Sequence, residues 1–271
     1  MLRNIIICFC LFAACCSFGS QVNRIVSLGP TVTTELNILG VGNKIVGNTI
    51  YSKDSKNIAK IGNITEANVE KIVSLKPDIV FATDLSNPTQ LALLKKLGIK
   101  IFTMHNPHTY QAMCEEFVKI GELVGRKSRA ESIVEKSNRE VNVLRAESSK
   151  YPKQKVFFEI GANPLFTITK DSYINDFIKF AGGINVASDA SAGIYSRENV
   201  VANAPDVIII MSMGIVGKQE KMIWAKFDTI PAVKNNRIFI MSADKLASSN
   251  PLSFPGTLKE IMTKLHPDKV K

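Results

Sequence analysis

Asn68-Val-Glu-Lys-Ile-Val-Ser-Leu-Lys-Pro-Asp-Ile-Val-Phe81 decides the fold, because the chain repeats its design at Arg197-Glu-Asn-Val-Val-Ala-Asn-Ala-Pro-Asp-Val-Ile-Ile-Ile210. In both copies a glutamate (Glu70, Glu198) opens a short helical pattern, a Pro-Asp pair closes it, and an unbroken apolar run follows. Proline lacks an N–H and pushes its predecessor out of the helical region, so each helix stops there. Ile79-Val-Phe81 and Val207-Ile-Ile-Ile210 are too short and too β-branched for buried helices; they read as central parallel strands, apolar on both faces. A helix leading into such a strand is half of a βαβ crossover. Two well-separated copies predict an α/β protein of two Rossmann-like lobes with mainly parallel sheets.

Working outward, the N-terminal lobe spans residues 21–125. Arg24 to Leu28 reads as a strand, Gly29-Pro30 as a turn, and Thr31 to Leu39 as a helix ended by Gly40. Lys44 to Val46 is a second strand, leading to a polar loop, Asn48 to Asn57, that carries Tyr51. Pro88 to Leu97 is a helix and Ile99 to Met104 a strand. The C-terminal lobe, residues 151–271, repeats the plan with strands at Val156–Ile160 and Arg237–Met241 and a helix at Tyr173–Ala181. Between them, in a connecting segment 126–150, Ala130, Ile133, Val134, Val141 and Leu144 recur at helical spacing, and Ser128 with Glu131 has the form of a capping box. Residues 128–149 would make one rod of about 33 Å.

Residues 1–20 stand apart. Arg3, an apolar run from Ile5 to Cys16 and the small residues Ser17 to Ser20 form an export leader, too short to anchor as a bilayer span. The expected location is the periplasm or the extracytoplasmic membrane surface. Leu11-Phe-Ala-Ala-Cys15 resembles a lipoprotein acceptor, so a lipid anchor at Cys15 or Cys16 stands beside a plainly soluble mature protein. Cys114 is the single cysteine beyond that region and cannot close a loop on itself. A formal net charge of +10 comes without a basic run, aromatic stripe or recognition motif, which argues against nucleic acid.

The body as a whole resembles the solute-binding proteins of bacterial ABC importers for cobalamin, ferric siderophores and haem. The stretches that carry this are Arg24-Ile-Val-Ser-Leu28, the 68–78 unit, Leu97-Gly-Ile-Lys100, Gly161-Ala-Asn-Pro-Leu-Phe-Thr167, Ala181-Gly-Gly-Ile-Asn185, Ser196-Arg-Glu198 and Pro231-Ala-Val-Lys-Asn-Asn-Arg237, in order along the chain. The resemblance implies a monomer whose partners are the transmembrane permease subunits and their ATPase. It implies that Glu70 and Glu198, one at the tip of each lobe, dock on permease arginines. The alternative for such acids is simple complementation of a helix dipole.

Ligand is expected where the strand ends of the two lobes face each other. The residues placed there are Pro30, Thr31, Tyr51, Asn63, Thr83, Asp84, His105, Phe166, Tyr195, Met213, Asp244 and Lys245. By resemblance to cobalamin binders, Tyr51 and Phe166 match corrin-contacting positions, whereas Ile64, Thr83 and Ala192 stand where those binders carry tryptophan. The haem branch places a tyrosine at the position of Asn63. The resemblance thus implies a corrinoid, a ferric siderophore or haem as the expected ligand, with no intrinsic cofactor. His105-Asn-Pro-His108 has the look of a metal pair but lacks further ligands nearby. Trp224 is assigned to core packing. Walker spacing, a G-x-S-x-G elbow and an H-E-x-x-H motif are all absent, which leaves an exported enzyme or sensor as the distant alternative.

Overall fold

The computed structural model describes residues 21–52, 58–212 and 216–269, so the leader, its cysteines and Met213 lie outside the described residues. The first lobe runs β1 (Ile25–Ser27), α1 (Pro30–Ile38), β2 (Ile45–Asn48), β3 (Ala59–Lys60), α2 (Val69–Ser74), β4 (Ile79–Thr83), α3 (Pro88–Lys96) and β5 (Ile101–Met104). Its sheet has the order β3-β2-β1-β4-β5, and every pairing is parallel. Two helices follow, α4 (Tyr110–Leu123) and α5 (Lys127–Ser148). The second lobe continues with β6 (Gln154–Gly161), β7 (Phe166–Thr167), α6 (Tyr173–Phe180), β8 (Gly183–Asn185), α7 (Arg197–Asn203), β9 (Val207–Ser212), α8 (Val216–Trp224), α9 (Pro231–Lys234), β10 (Ile238–Ser242), α10 (Ala243–Ala247) and α11 (Phe254–Leu265). Here the order is β10-β9-β6-β7 with β8 also beside β6; only β7 is antiparallel.

The repeated Pro-Asp pair has a structural task. Asp78 Oδ2 accepts the N–H groups of Asn23 and Arg24 at 2.7 and 2.8 Å, and Asp206 Oδ2 accepts that of Lys155 at 2.8 Å. Each aspartate thus fastens the entry of its lobe's first strand beside its own strand, and parallel register follows. The side chains of the following apolar runs are buried on both faces, with Ile79, Val80, Phe81, Val207, Ile208 and Ile209 fully inaccessible.

The connecting rod is longer at its start than the sequence suggests. α5 begins at Lys127 with Arg126 at the N-cap, and no side chain caps it, so the expected Ser128–Glu131 box does not form. The physical reason is the preceding helix: only Val124, Gly125 and Arg126 separate α4 from α5, and the chain enters the helix before Ser128 is reached. α4 and α5 pack closely at Gly121, where a Cβ would lie 2.6 Å from that of Ala130. Ala130 of α5 belongs to the core of the first lobe and Val141 to that of the second, so one helix is built into both.

Two hydrogen bonds fasten the β5–α4 connection to the second lobe. His108 Nδ1 lies 2.8 Å from the Asp171 carbonyl, which can only accept, so this nitrogen carries the proton. The Tyr110 N–H donates to Asp176 Oδ2 at 2.8 Å. Among the described residues no helix is long and apolar enough to cross a membrane.

Candidate functional site: an interlobe cleft and two outer acids

Parallel sheets leave the carboxyl ends of their strands open to a ligand, and here those ends meet across a gap. A cavity of about 320 Å³ is lined from one side by Asn106, Pro107 and His108, beyond β5, and from the other by Ile160, Met211 and Ala247, at the ends of β6, β9 and α10. Tyr51 lies on the first lobe, in the turn that follows β2. Lys60 Nζ reaches Asn48 Oδ1 at 2.8 Å and the carbonyls of Ser52 and Thr49 at 3.2 and 3.3 Å, while Thr33 Oγ1 bridges the hydroxyls of Ser27 and Ser52. This polar scaffold holds up a turn whose Ile50 and Tyr51 are each 57% exposed, and Leu85, after β4, is 61% exposed.

Beside this lip, Asp84 Oδ1 lies 2.6 Å from His105 Nδ1, and Asp84 Oδ2 accepts the Asn106 N–H at 2.9 Å. That backbone N–H, with help from the imidazole, holds the Asp84 carboxyl below its ordinary range. Glu116 of α4 accepts the His105 N–H, and burial pushes its carboxyl up. Among the described residues no group of three or more His, Cys, Asp or Glu could hold a metal ion.

Other expected ligand residues are occupied in structural ways. Thr83 packs on the Gly29 turn, where a Cβ would lie 2.8 Å from its methyl, and its hydroxyl accepts the Leu85 N–H. Asn63 Oδ1 accepts from Thr65 and Glu66 and closes a turn. Phe166 is half-buried opposite Gly161, against which it packs. Tyr195 packs into the second-lobe core: its ring stacks on Phe157 at 5.9 Å and its hydroxyl donates to the Val186 carbonyl. Lys245 Nζ pairs with Glu260 at 2.7 Å, and Asp244 sits in the first turn of α10. Trp224 is fully buried, as a packing role requires. The residues that sequence reasoning passed over are Ile50, Leu85 and Lys60; of these only Ile50, directly before Tyr51 in a polar loop, carried a signal.

Away from the cleft, Glu70 and Glu198 occupy the same place in their helices, the second residue of α2 and of α7, on different lobes. Asn68 caps the first through the Lys71 N–H at 2.8 Å, and Ser196 caps the second through the Asn199 N–H at 3.1 Å. Both glutamates are exposed. The Glu198 carboxyl is held below its ordinary range by its own backbone N–H and by Ser196.

Comparison with known proteins agrees with this geometry. Residues 25–245 match the family model described as periplasmic binding protein. An uncharacterized ABC transporter substrate-binding lipoprotein of Bacillus subtilis, YvrC, is 27% identical over 263 residues, covering 93% of this chain and 82% of that protein. The vitamin B12-binding protein of Vibrio vulnificus is 26% identical over 247 residues, covering 86% of each. The crystal structure of a possible iron-binding (periplasmic solute-binding) protein from Staphylococcus epidermidis superposes with a TM-score of 0.77 at 27% identity, over 91% of this chain and 99% of that one. A two-lobed α/β body, a cleft at the strand ends and a family match across both lobes make this chain a member of the periplasmic binding protein family, a solute-binding protein and not an enzyme.

Proposed function

We propose that the protein is the monomeric receptor of an ABC importer, capturing a bulky metal chelate between its lobes and presenting it to the permease through Glu70 and Glu198. The observation that carries this reading is the paired placement of those acids: same helix position, same capping scheme, opposite lobes, both exposed. A helix dipole alone would favour an acid in either first turn, by about 0.3–1 kcal/mol, but gives no reason for the match between lobes. The names of relatives point to vitamin B12 and iron as cargo classes. Within those classes, the apolar lip of Ile50, Tyr51 and Leu85 suits a large ligand with an apolar face, a corrinoid or haem, ahead of a ferric siderophore.

Equilibrium dialysis against cyanocobalamin, haemin and a ferric hydroxamate siderophore, read by the ligands' own absorbance, tests the cargo. One equivalent of one chelate is expected to bind and to be recovered unchanged. Tyr51→Ala should weaken it by about tenfold, the loss of one stacked aromatic contact of ~1.4 kcal/mol. No binding by any of the three would remove the chelate reading.

A further inference from the structure

The C-lobe acid has a neighbour that its N-lobe counterpart lacks. Glu198 points outward from α7, but Arg197, one residue before it, turns inward. Its Nη2 donates to Glu220 Oε2 at 2.6 Å, with the two side chains only 22% and 6% exposed. Its guanidinium carbon lies 4.7 Å from the centre of the Trp224 ring, and the Trp224 indole N–H donates to Glu159 Oε2 at 2.5 Å. Nη1 is buried with no hydrogen-bond partner. Glu220 and Trp224 stand four residues apart, on one face of α8, so a single helix supplies both contacts.

The other end of α8 rests on the last residue of β9. The Gly217 N–H donates to Ser212 Oγ at 3.1 Å, and a Cβ on Gly217 would lie 2.7 Å from that of Ser212. Ser212 ends β9, directly after Met211, which lines the interlobe cavity. α8 is nine residues long, about 13 Å at 1.5 Å per residue. A short, stiff helix therefore runs from the end of β9, one residue past a cavity-lining side chain, to the side chain that precedes the docking acid. The geometry points to Arg197 as a positioning residue that ties Glu198 to the end of β9 through α8, so that cargo against β9 sets how the docking acid is presented. This rests on the docking role proposed for Glu198.

The chemistry of the cluster suits a transmitter that does not stretch. Two carboxyls share one guanidinium: Glu220 takes the direct bond, while burial and the Glu220 charge push the Glu159 carboxyl well above its usual range and favour its neutral form. A charge-assisted bond in a dry site is costly to break. A shift of α8 therefore carries Arg197 with it. In the N-terminal lobe the corresponding first residue is Val69, and no such bond exists.

Amide exchange of α7 and α2, followed by mass spectrometry on the full mature chain, tests this with a double-mutant cycle. Gly217→Ala pushes the first turn of α8 off the end of β9, and should speed exchange across α7 by about fivefold or more while leaving α2 unchanged. In the Arg197→Met background the same change should add less than about twofold, and Arg197→Lys should partly restore the response. An equal response in both backgrounds, or one shared by α2, overturns the inference. Should Arg197→Met fail to fold, as judged by far-ultraviolet circular dichroism, Glu220→Gln completes the same cycle. Haemin and aquocobalamin form a separate arm: if neither binds while the cycle holds, the cargo reading falls and the inference stands. If one binds while the cycle shows no coupling, the reverse is true.

Discussion

The two helices that carry Glu70 and Glu198 look alike from outside and are held from inside by different means. In the N-terminal lobe the approach to α2 is tied to α3 by amide contacts near the surface: Glu66 accepts from Asn87 at 3.0 Å and from Gln90 at 2.8 Å, and Gln90 accepts the Ala67 N–H. In the C-terminal lobe α7 is tied to α8 by a buried charged bond and a cation over an indole. The buried acids differ in the same way. Glu35 of α1 is 5% exposed, its Oε2 has no hydrogen-bond partner, and the charged or titratable groups that reach it are Glu116 of α4 and Tyr173 of α6. Glu159 has the Trp224 N–H as a donor and Arg197 close by. A shared exterior thus sits on interiors that differ.

The largest effect that could break the comparison concerns transport. Replacing Glu70 and Glu198 together by Ala is expected to lower chelate uptake in cells by about 100-fold or more, two charged contacts at about 1.5–3 kcal/mol each, with dialysis affinity unchanged within a factor of two. If the lobes are equivalent outside, the single replacements should cost equal amounts. Uptake at the normal rate in the double variant would remove the docking role altogether.

The buried acids give the next effect. Burial, reinforced by Glu116, pushes the Glu35 carboxyl up to about 8. A folded value raised above the unfolded one means that the neutral acid supports the fold fully below about pH 4.5, and that this support is lost as pH rises through about 8. Relative to Glu35→Gln, the native protein should lose on the order of 4–5 kcal/mol between pH 4.5 and 8.5, read from urea midpoints across that range. Parallel pH curves for the two proteins would show that Glu35 finds a partner in solution.

Much of the fold was legible in the sequence because parallel β-strands buried on both faces write themselves as apolar runs, and the Pro-Asp pair marks where each begins. The rod, too, was visible in the spacing of Ala130, Val134 and Val141. What stayed hidden depends on contacts between residues distant in the chain. α4 was passed over although it carries Phe117 and Ile120 into one core and Tyr110 and Met113 into the other, because the sequence shows no cap at Thr109 stronger than many others. Tyr51 was legible as an aromatic in a polar loop. Lys60, which holds that loop from twelve residues past Asn48, was not. Tyr195 and Phe166 read alike as aromatics near strand ends, and only packing against Phe157 distinguishes the first as a core residue.

The smallest effect sharpens the comparison at its root, the aspartate that starts each lobe. Asp78 accepts two backbone N–H groups and is exposed; Asp206 accepts one and is half-buried. Those N–H groups hold the Asp78 carboxyl below its ordinary range, so its contribution is present above the unfolded value near pH 4 and is lost as pH falls through the folded one. Solvent screening limits the effect at an exposed site, and Asp78→Ala should cost at most about 1 kcal/mol at pH 7 and progressively less as pH falls through the folded value. Asp206→Ala loses one bond instead of two, but in a less solvated place, so a cost of similar size, about 1 kcal/mol, is expected. Urea midpoints of the two variants at pH 7 decide whether the duplicated unit is energetically as well as geometrically the same. A difference of more than about 2 kcal/mol would show that the lobes have diverged even at the strand entry, where both must still set parallel register.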